Sequence, residues 1–433
     1  MQTRLSMTLA ARDWLRSHAT LNMMATHRGV GLLFVVTALM FLPLEFTQLA
    51  FAVAGACAYT FLQHASEHPN WWAQAEDPKK KAAQAWPPAL PGSWEADVQQ
   101  LLGQITPSGQ SEAALARLVE VVRATVQPLF PNADVCGFVS GELGASRAFR
   151  VAVPDIELVV SVSPEQLRAL LGRQDRRLDC KQLEKAAIRA IAEALVAHCG
   201  FKFRRSAFRG EEPKLTLLAP AALARLGDAI PLDISVNAET PLYNAALMAE
   251  CAQLDARSKQ LILLVRRWAK DRGICHAAKG YLAPYHWSLL VIYFLQVHLK
   301  HGVLPPLKSF KSYCELAKTP PGLSRPGNQA PLDSEVPTAK LLKDFMHFYR
   351  HFDWRNEMIN AISGERGRPI FEAQDAVLFL QDPFRPLCNL GSRCTEPSFQ
   401  RIKEELKRGS DLCSENLGAA GLFEPWAPGA DEE

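Results

Sequence analysis

Apolar and polar residues follow two different rhythms along this chain, and one stretch near the start has almost no polar residues. Over residues 111–127 and from Cys180 to His198, apolar positions recur every three or four residues. In the second segment Leu183, Ala186, Ile188, Ile191 and Leu195 fall on one face, which predicts an amphipathic helix. Arg150–Val162, Phe201–Phe208, Lys214–Leu218 and Pro231–Val236 are short and rich in β-branched or aromatic residues, and these predict strands. Helices interleaved with strands predict a mixed α/β unit in the middle of the chain.

From Gly29 to Gln63 the only fully charged residue is Glu45. A continuous helix of that length would reach about 52 Å, more than a hydrocarbon core of ~30 Å requires. Pro43 and Glu45 divide it into two halves, each short for a span. Three physical readings stand: a hairpin dipping into a bilayer, a single tilted span, or a buried helical pair. Residues 1–28 carry Arg4, Arg12, Arg16 and Arg28 against one acidic Asp13, as an organelle-targeting leader or the positive flank of an anchor would. Hydropathy favours membrane attachment, and no small-residue cleavage site argues for secretion. Residues 66–94 mix proline, lysine and tryptophan without a period and read as a linker. Residues 319–337 (TPPGLSRPGNQAPLDSEVP) read as a surface loop.

Composition narrows the partners. Forty-eight Lys plus Arg stand against 45 Asp plus Glu, a net charge of +3, so the chain is no polycation and nucleic acid would have to meet a local basic surface. The ten cysteines form no C-x-x-C pair, which fits a reducing, intracellular compartment and argues against structural zinc. His347, His351 and Asp344 share a helical face but lack further ligands, and they read as an ordinary surface.

The chemistry begins at Asp155-Ile156-Glu157. On a strand, Asp155 and Glu157 point to the same side, about 7 Å apart at ~3.4 Å per residue. In PLDISV, Leu232, Ile234 and Val236 share one face and Asp233 takes the other. If the two strands are neighbours, three carboxylates converge, and such a cluster needs cations. Hard oxygen donors suit Mg²⁺, with substrate phosphates completing its shell. Upstream, Cys136-Gly-Phe-Val-Ser140-Gly141-Glu-Leu-Gly144 is a small-residue loop able to cradle phosphate through backbone N–H groups and a hydroxyl. Taken singly each feature is weak. D-x-E is usually an exposed strand face, and the glycines a plain turn. A basic pair such as Arg266/Lys270 is often a solvated helix face, Tyr285 a core aromatic and Asn244 a cap.

Their order is specific. D-I-x-x-N from Asp233, the later Asn244, L-D-x-R, V-R-x-W-A-K, G-x-L-x-x-Y and an apolar helix ending F-L-Q resemble the non-canonical poly(A) polymerase and terminal uridylyltransferase family, within the polymerase-β-like nucleotidyltransferases. The resemblance runs from about Leu101 to Lys407. It implies an α/β (α+β) nucleotidyltransferase palm beside a mostly helical central domain, with the site in the cleft between them. It further implies Asp155, Glu157 and Asp233 as catalytic, metal-binding residues for Mg²⁺ (or Mn²⁺). Ser140, Gly141 and Gly144 match the phosphate-binding loop, Asn244 the ribose contact, Arg266 and Lys270 the triphosphate contacts, and Tyr285 the base-stacking aromatic. Phe352-Asp353-Trp354 and Gln381-Asp382-Pro383-Phe384 to Asn389 resemble the nucleotide-recognition region.

The chain also departs from the family pattern. Val139 replaces a glycine, and the stretch from Ser140 to Asp155 is long. Glu157 replaces aspartate, Arg266 replaces lysine, and Pro284 replaces a serine. Cys388 stands where uridylyl enzymes carry a histidine, which leans the reading toward ATP rather than UTP. The expected function is template-independent addition of AMP to an RNA 3′ end by a two-metal mechanism. Rival readings are a uridylyltransferase, a catalytically silent RNA-binding relative, and template-free synthesis of short or cyclic oligonucleotides. The expected organisation is a leader and hydrophobic segment (1–65), a linker (66–100), the palm (101–238), the helical domain (239–410) and a tail (411–433). The catalytic unit is expected to be monomeric, in an intracellular, membrane-associated or organellar setting.

Overall fold

The computed structural model describes residues 94–143, 153–171, 179–298, 302–318, 336–371, 376–415 and 419–426. All belong to one unit, within Ala83–Glu433. The leader, the apolar segment 29–63, most of the linker, Gly144 and the loop at 319–335 lie outside the described residues. Among the described residues no helix is long and apolar enough to cross a membrane.

The helices α1 (Trp94–Ile105) and α2 (Gly109–Val126) lead into β1 (Asp134–Val139), β2 (Ile156–Ser161), α3 (Pro164–Leu171) and α4 (Cys180–Cys199). There follow β3 (Lys202–Ala207), β4 (Lys214–Ala219), the single turn α5 (Ala221–Ala224) and β5 (Ile230–Val236). The strands form one mixed sheet in the order β1-β2-β5-β4-β3, in which only β2 and β5 run parallel. β1 was not foreseen. Its DVCGFV sequence has glycine in the middle, and Gly137 lets Val119, Leu115 and Leu158 close in where a Cβ would lie within 3 Å of each.

One face of the sheet is apolar and covered by α2 and α4. Ile156, Leu158, Leu232, Ile234 and Val236 lie there beside Leu118, Val122, Ile188, Ile191 and Leu195. Burying each large aliphatic side chain contributes about 1.5–3 kcal/mol. α4 starts at a reciprocal cap, in which the Gln182 N–H donates to Asp179 Oδ1 (2.7 Å) and the Asp179 N–H to Gln182 Oε1 (3.0 Å). It ends at Gly200, whose φ of 71° stops the helix and turns the chain into β3. The opposite face of the sheet is left to polar side chains.

The second layer is helical: α6 (Thr240–Leu254), α7 (Ala256–Asp271), α8 (Pro284–Val297), α9 (Lys311–Ala317), α10 (Thr338–Arg350) and α11 (Glu396–Glu415). α8 is apolar on all sides because α6, α7 and α10 surround it. Trp287 meets Trp268 edge to face at 5.5 Å, and the Tyr349 hydroxyl donates to Leu290 O. α1 packs with this layer rather than with the sheet: Trp94, Val98, Leu101 and Ile105 join its core. These α1 residues fall in the stretch read as linker and palm. At the other end, α11 runs through the expected boundary at 410 to Glu415, and the Trp426 N–H donates to Asp271 O.

Candidate active site

Register places the chemistry. Glu157 on β2 is the Cα partner of Asp233 on β5, Asp233 of Thr216 on β4, and Thr216 of Arg205 on β3. Paired residues share a sheet face, so these four form one row across four strands on the polar side. Flanking Leu232 and Ile234 are buried in the core, and this alternation turns Asp233 outward as the sequence predicts. Asn237 locks the ends of the two parallel strands. In a left-handed conformation (φ 54°), its side chain accepts from Val162 N–H and donates to Val162 O, both at 2.9 Å.

The carboxylates are already matched by cations. Lys214 Nζ lies 2.6 Å from Asp233 Oδ2 and 3.9 Å from Glu157 Oε1. Burial alone would depress the Lys214 pKa, but Asp233 and Glu157 outweigh it and hold the ammonium above the ordinary lysine value. Asp233 Oδ1 accepts from the Thr216 hydroxyl at 2.5 Å, and Asp233 is only 3% exposed. Asp155 stands just before β2, where Lys270 of α7 reaches across from the helical layer, Nζ to Oδ1 2.5 Å.

Two hollows flank this row and divide the predicted residues between them. A smaller one of about 460 Å³ is lined by Ser140, Gly141, Asp155, Arg266 and Lys270. Ser140 folds back on Asp155: its N–H donates to Asp155 O at 2.8 Å and its hydroxyl lies 3.3 Å from Asp155 Oδ1. A Cβ at Gly141 would stand 2.9 Å from Asp155 Oδ1, so glycine is what lets the loop approach the carboxylate. Arg266 is 4% exposed, with Nη1 3.5 Å from Met248 Sδ.

The larger cleft, about 1160 Å³, is lined by Glu157, Asp233, Lys214, Asn244, Tyr285, Arg385 and Cys388 among others. Asn244 Oδ1 and the Tyr285 hydroxyl are buried there without a hydrogen-bond partner. Such atoms are costly in a folded protein unless water or a ligand meets them, and these two line a cleft that is open to one. Burial, reinforced by Asp382, raises the Tyr285 pKa well above the ordinary phenol value, so the hydroxyl keeps its proton. Arg385 bridges Asp382 (2.9 Å) and Glu211 (2.8 Å) at the mouth of the cleft.

Glu157 and Asp233 are thus partners on one sheet face and Asp155 stands just before β2, with Lys214 against Asp233 and Lys270 against Asp155. Among the described residues no three His, Cys, Asp or Glu side chains stand close enough together to hold a metal ion. Lys270, read as a triphosphate contact, sits on Asp155. Phe352 and Trp354, read as part of nucleotide recognition, are core residues at 6% and 7% exposure. The sequence reading missed Lys214, Thr216 and Arg205, and it gave Asn237, the last residue of D-I-x-x-N, no role of its own. A signal for the first two lay in the alternation of K-L-T, which puts Lys214 and Thr216 on one face. Arg205 is reached only through a register shift in β3 between Phe203 and Arg205, which no pattern announces.

No family model matches the chain. It is 24% identical over 211 residues to the mitochondrial poly(A) RNA polymerase of Drosophila melanogaster, covering 45% of this chain and 33% of that protein. It is 31% identical over 140 residues to poly(A) RNA polymerase GLD2-A of Xenopus laevis, covering 31% and 27%. The chain spans less than half the length of the curated relatives it matches. Its fold matches a Cid1 structure described for RNA terminal uridylyl transferase activity (TM-score 0.57, 21% identity, 77% of this chain and 99% of that one). It also matches mtPAP in complex with CTP (TM-score 0.58, 17% identity, 78% and 71%).

Proposed function

We propose that this chain, which groups by sequence and fold with the non-canonical poly(A) polymerases and terminal uridylyltransferases, is a template-independent RNA 3′-end nucleotidyltransferase that adds AMP. The observation that carries the reading is the row of Glu157 and Asp233, with Asp155 one step along. It opens on a cleft where Asn244 and Tyr285 hold unsatisfied polar atoms.

Asp155, Glu157 and Asp233 match a divalent metal in donor chemistry, although in this arrangement the three carboxylates do not stand close enough together to hold one. All offer carboxylate oxygens, and two lysine ammoniums now supply the positive charge that such a donor set demands. Mg²⁺ or Mn²⁺ held there would acidify the attacking 3′-hydroxyl and offset charge on the α-phosphate. The chain's own residues do the rest. Arg266 and Lys270 would neutralise the departing pyrophosphate, Lys270 exchanging the Asp155 carboxylate for phosphate oxygens. Ser140 and the backbone beside Gly141 would hold the phosphates from the other side. Asn244 would fix the ribose and Tyr285 the base. With no template, base choice rests on stacking and a few hydrogen bonds in this cleft, and Cys388 in place of histidine favours adenine over uracil.

Extension of a generic RNA primer with Mg²⁺ and each nucleoside triphosphate tests the reading. ATP-dependent tails are expected. UTP-dependent tails would make the chain a uridylyltransferase, product without primer would make it an oligonucleotide synthase, and no product would leave a silent relative. Membrane attachment through residues 29–63 belongs to the same proposal and rests on hydropathy. Fractionation of the full chain against one starting near Ser93 tests it.

A further inference from the structure

Asp233 is held from both sides, and one side is a relay. Its Oδ2 takes the Lys214 ammonium at 2.6 Å, and its Oδ1 takes the Thr216 hydroxyl at 2.5 Å. Thr216 is itself only 3% exposed, so water does not compete for that hydroxyl. A threonine hydroxyl has one proton, which can point to any of several acceptors. Here Arg205 Nε donates into Thr216 Oγ1 at 3.2 Å. A guanidinium only donates, so it takes one of the oxygen's two lone pairs, and the hydroxyl proton goes to the Asp233 carboxylate, which only accepts. Arg205 is held in turn. Its Nη1 lies 3.0 Å from His276 Nε2, which must be the acceptor, so His276 carries its proton on Nδ1. His276 follows α7 in the helical layer, while Arg205 and Thr216 belong to the sheet.

We infer that Thr216 is a positioning residue for Asp233, and that Arg205, steadied by His276, sets the direction of the Thr216 hydroxyl. The relay holds the Asp233 carboxylate in one rotamer where it lines the cleft. It also makes that geometry depend on the helical layer being seated against the sheet. The inference rests on the proposed reading of Asp233 as a metal ligand, and it concerns residues for which no role was drawn from the sequence. Groups that orient metal ligands typically matter 10–100-fold for affinity or turnover.

The test uses the full chain and three variants. Thr216→Val keeps the shape and removes the hydroxyl, Thr216→Ser keeps the hydroxyl, and Arg205→Met keeps the length of the side chain while removing the orienting donor. Mn²⁺ binding to the nucleotide-free protein is read by electron paramagnetic resonance, alongside kcat and KM for ATP in primer extension. Thr216→Val is expected to weaken Mn²⁺ binding about tenfold and to lower kcat about 10–100-fold with KM for ATP little changed. Thr216→Ser is expected to restore both to within about threefold, and Arg205→Met to fall between. Wild-type Mn²⁺ binding in Thr216→Val and Arg205→Met overturns the inference. So does a Thr216→Ser variant as impaired as Thr216→Val, which would make the residue a packing element. If the wild type extends no primer while Thr216→Val still loses Mn²⁺, the proposed reaction fails and the positioning role stands.

Discussion

Removing a single oxygen from Tyr285 should stabilise the protein while weakening its grip on nucleotide. Tyr285 opens α8, is 6% exposed, and its hydroxyl is buried without a partner. A buried, unsatisfied hydroxyl costs the fold about 1–3 kcal/mol relative to a satisfied one. Tyr285→Phe deletes it without changing the ring that lines the cleft. A folded unit of roughly 300 residues unfolds with an entropy of about 0.6 kcal/mol per degree, so recovering 1–2 kcal/mol raises Tm by about 2–3 °C. If the hydroxyl is kept to bind nucleotide, the same change removes one net hydrogen bond of about 0.5–1.5 kcal/mol, a loss of roughly 2–10-fold in affinity. Scanning calorimetry of both proteins, with and without ATP and Mg²⁺, reads both effects. The expected result is a higher Tm for the free variant and a smaller upward shift when nucleotide is added. A lower Tm for the free variant would mean that the hydroxyl is bonded in solution, by water or by a neighbour. Tyr285 would then carry no open hydrogen-bonding group for a nucleotide.

Other substitutions probe separate parts of the molecule. Asp155→Asn should abolish primer extension and also lower Tm by several degrees, because it leaves Lys270, only 12% exposed, without its carboxylate in a largely buried pair; full activity in the folded variant would remove Asp155 from the mechanism. Gly141→Ala should lower kcat at least tenfold by crowding Asp155 Oδ1, with the fold unchanged by circular dichroism. Glu405→Ala should destabilise the helical layer by about 3–5 kcal/mol, seen in urea unfolding, because it strands Arg272, which Glu405 grips through both oxygens at 2.8 and 2.9 Å. Acid should weaken the fold through His286. Burial pushes its pKa down to about 4, so between roughly pH 6.5 and 4 the unfolded chain takes up a proton that the folded chain refuses. That amounts to about 3 kcal/mol lost by pH 4, and His286→Asn, whose side chain can still accept from Ala283 N–H, should flatten the fall in Tm over this window.

The parts of the site legible in the sequence were those written in alternation and spacing. Leu232, Ile234 and Val236 had to share a face, which turned Asp233 to the other side whatever its neighbours. Arg266 and Lys270 had to share a helical face because they are four apart. What the sequence could not say was which strand lay beside which. The order β1-β2-β5-β4-β3 is a tertiary fact, and it alone makes Asp233 the partner of Glu157 on one side and Thr216 on the other. β1 was hidden because Gly137 and Val139 fall in a segment read as a phosphate-loop turn. α1 was misplaced because its tryptophan follows a proline-rich stretch, while its burying surface is contributed by helices more than 150 residues later.

The lysines explain how such a site can exist in a folded chain before any ligand arrives. Glu157 and Asp233, paired across two strands, repel one another, and Asp233 at 3% exposure has little water to relieve it. Lys214 comes from β4, the strand beside Asp233, so the sheet itself brings it. Lys270 comes from α7, so it reaches Asp155 only when the helical layer is docked. Each carboxylate is therefore within reach of an ammonium in the folded state, and the acidic row costs the fold far less than bare charges would. The same arrangement sets a condition on catalysis under the proposed reading. A divalent ion must compete with an internal amine for Asp155 and for Asp233, whereas a triphosphate offers those amines new partners. Metal and nucleotide should therefore bind cooperatively: phosphate oxygens draw the lysines away, and the released carboxylates take the metal. Metal alone would bind weakly and nucleotide alone weakly, and the pair together tightly, because each removes the other's competitor.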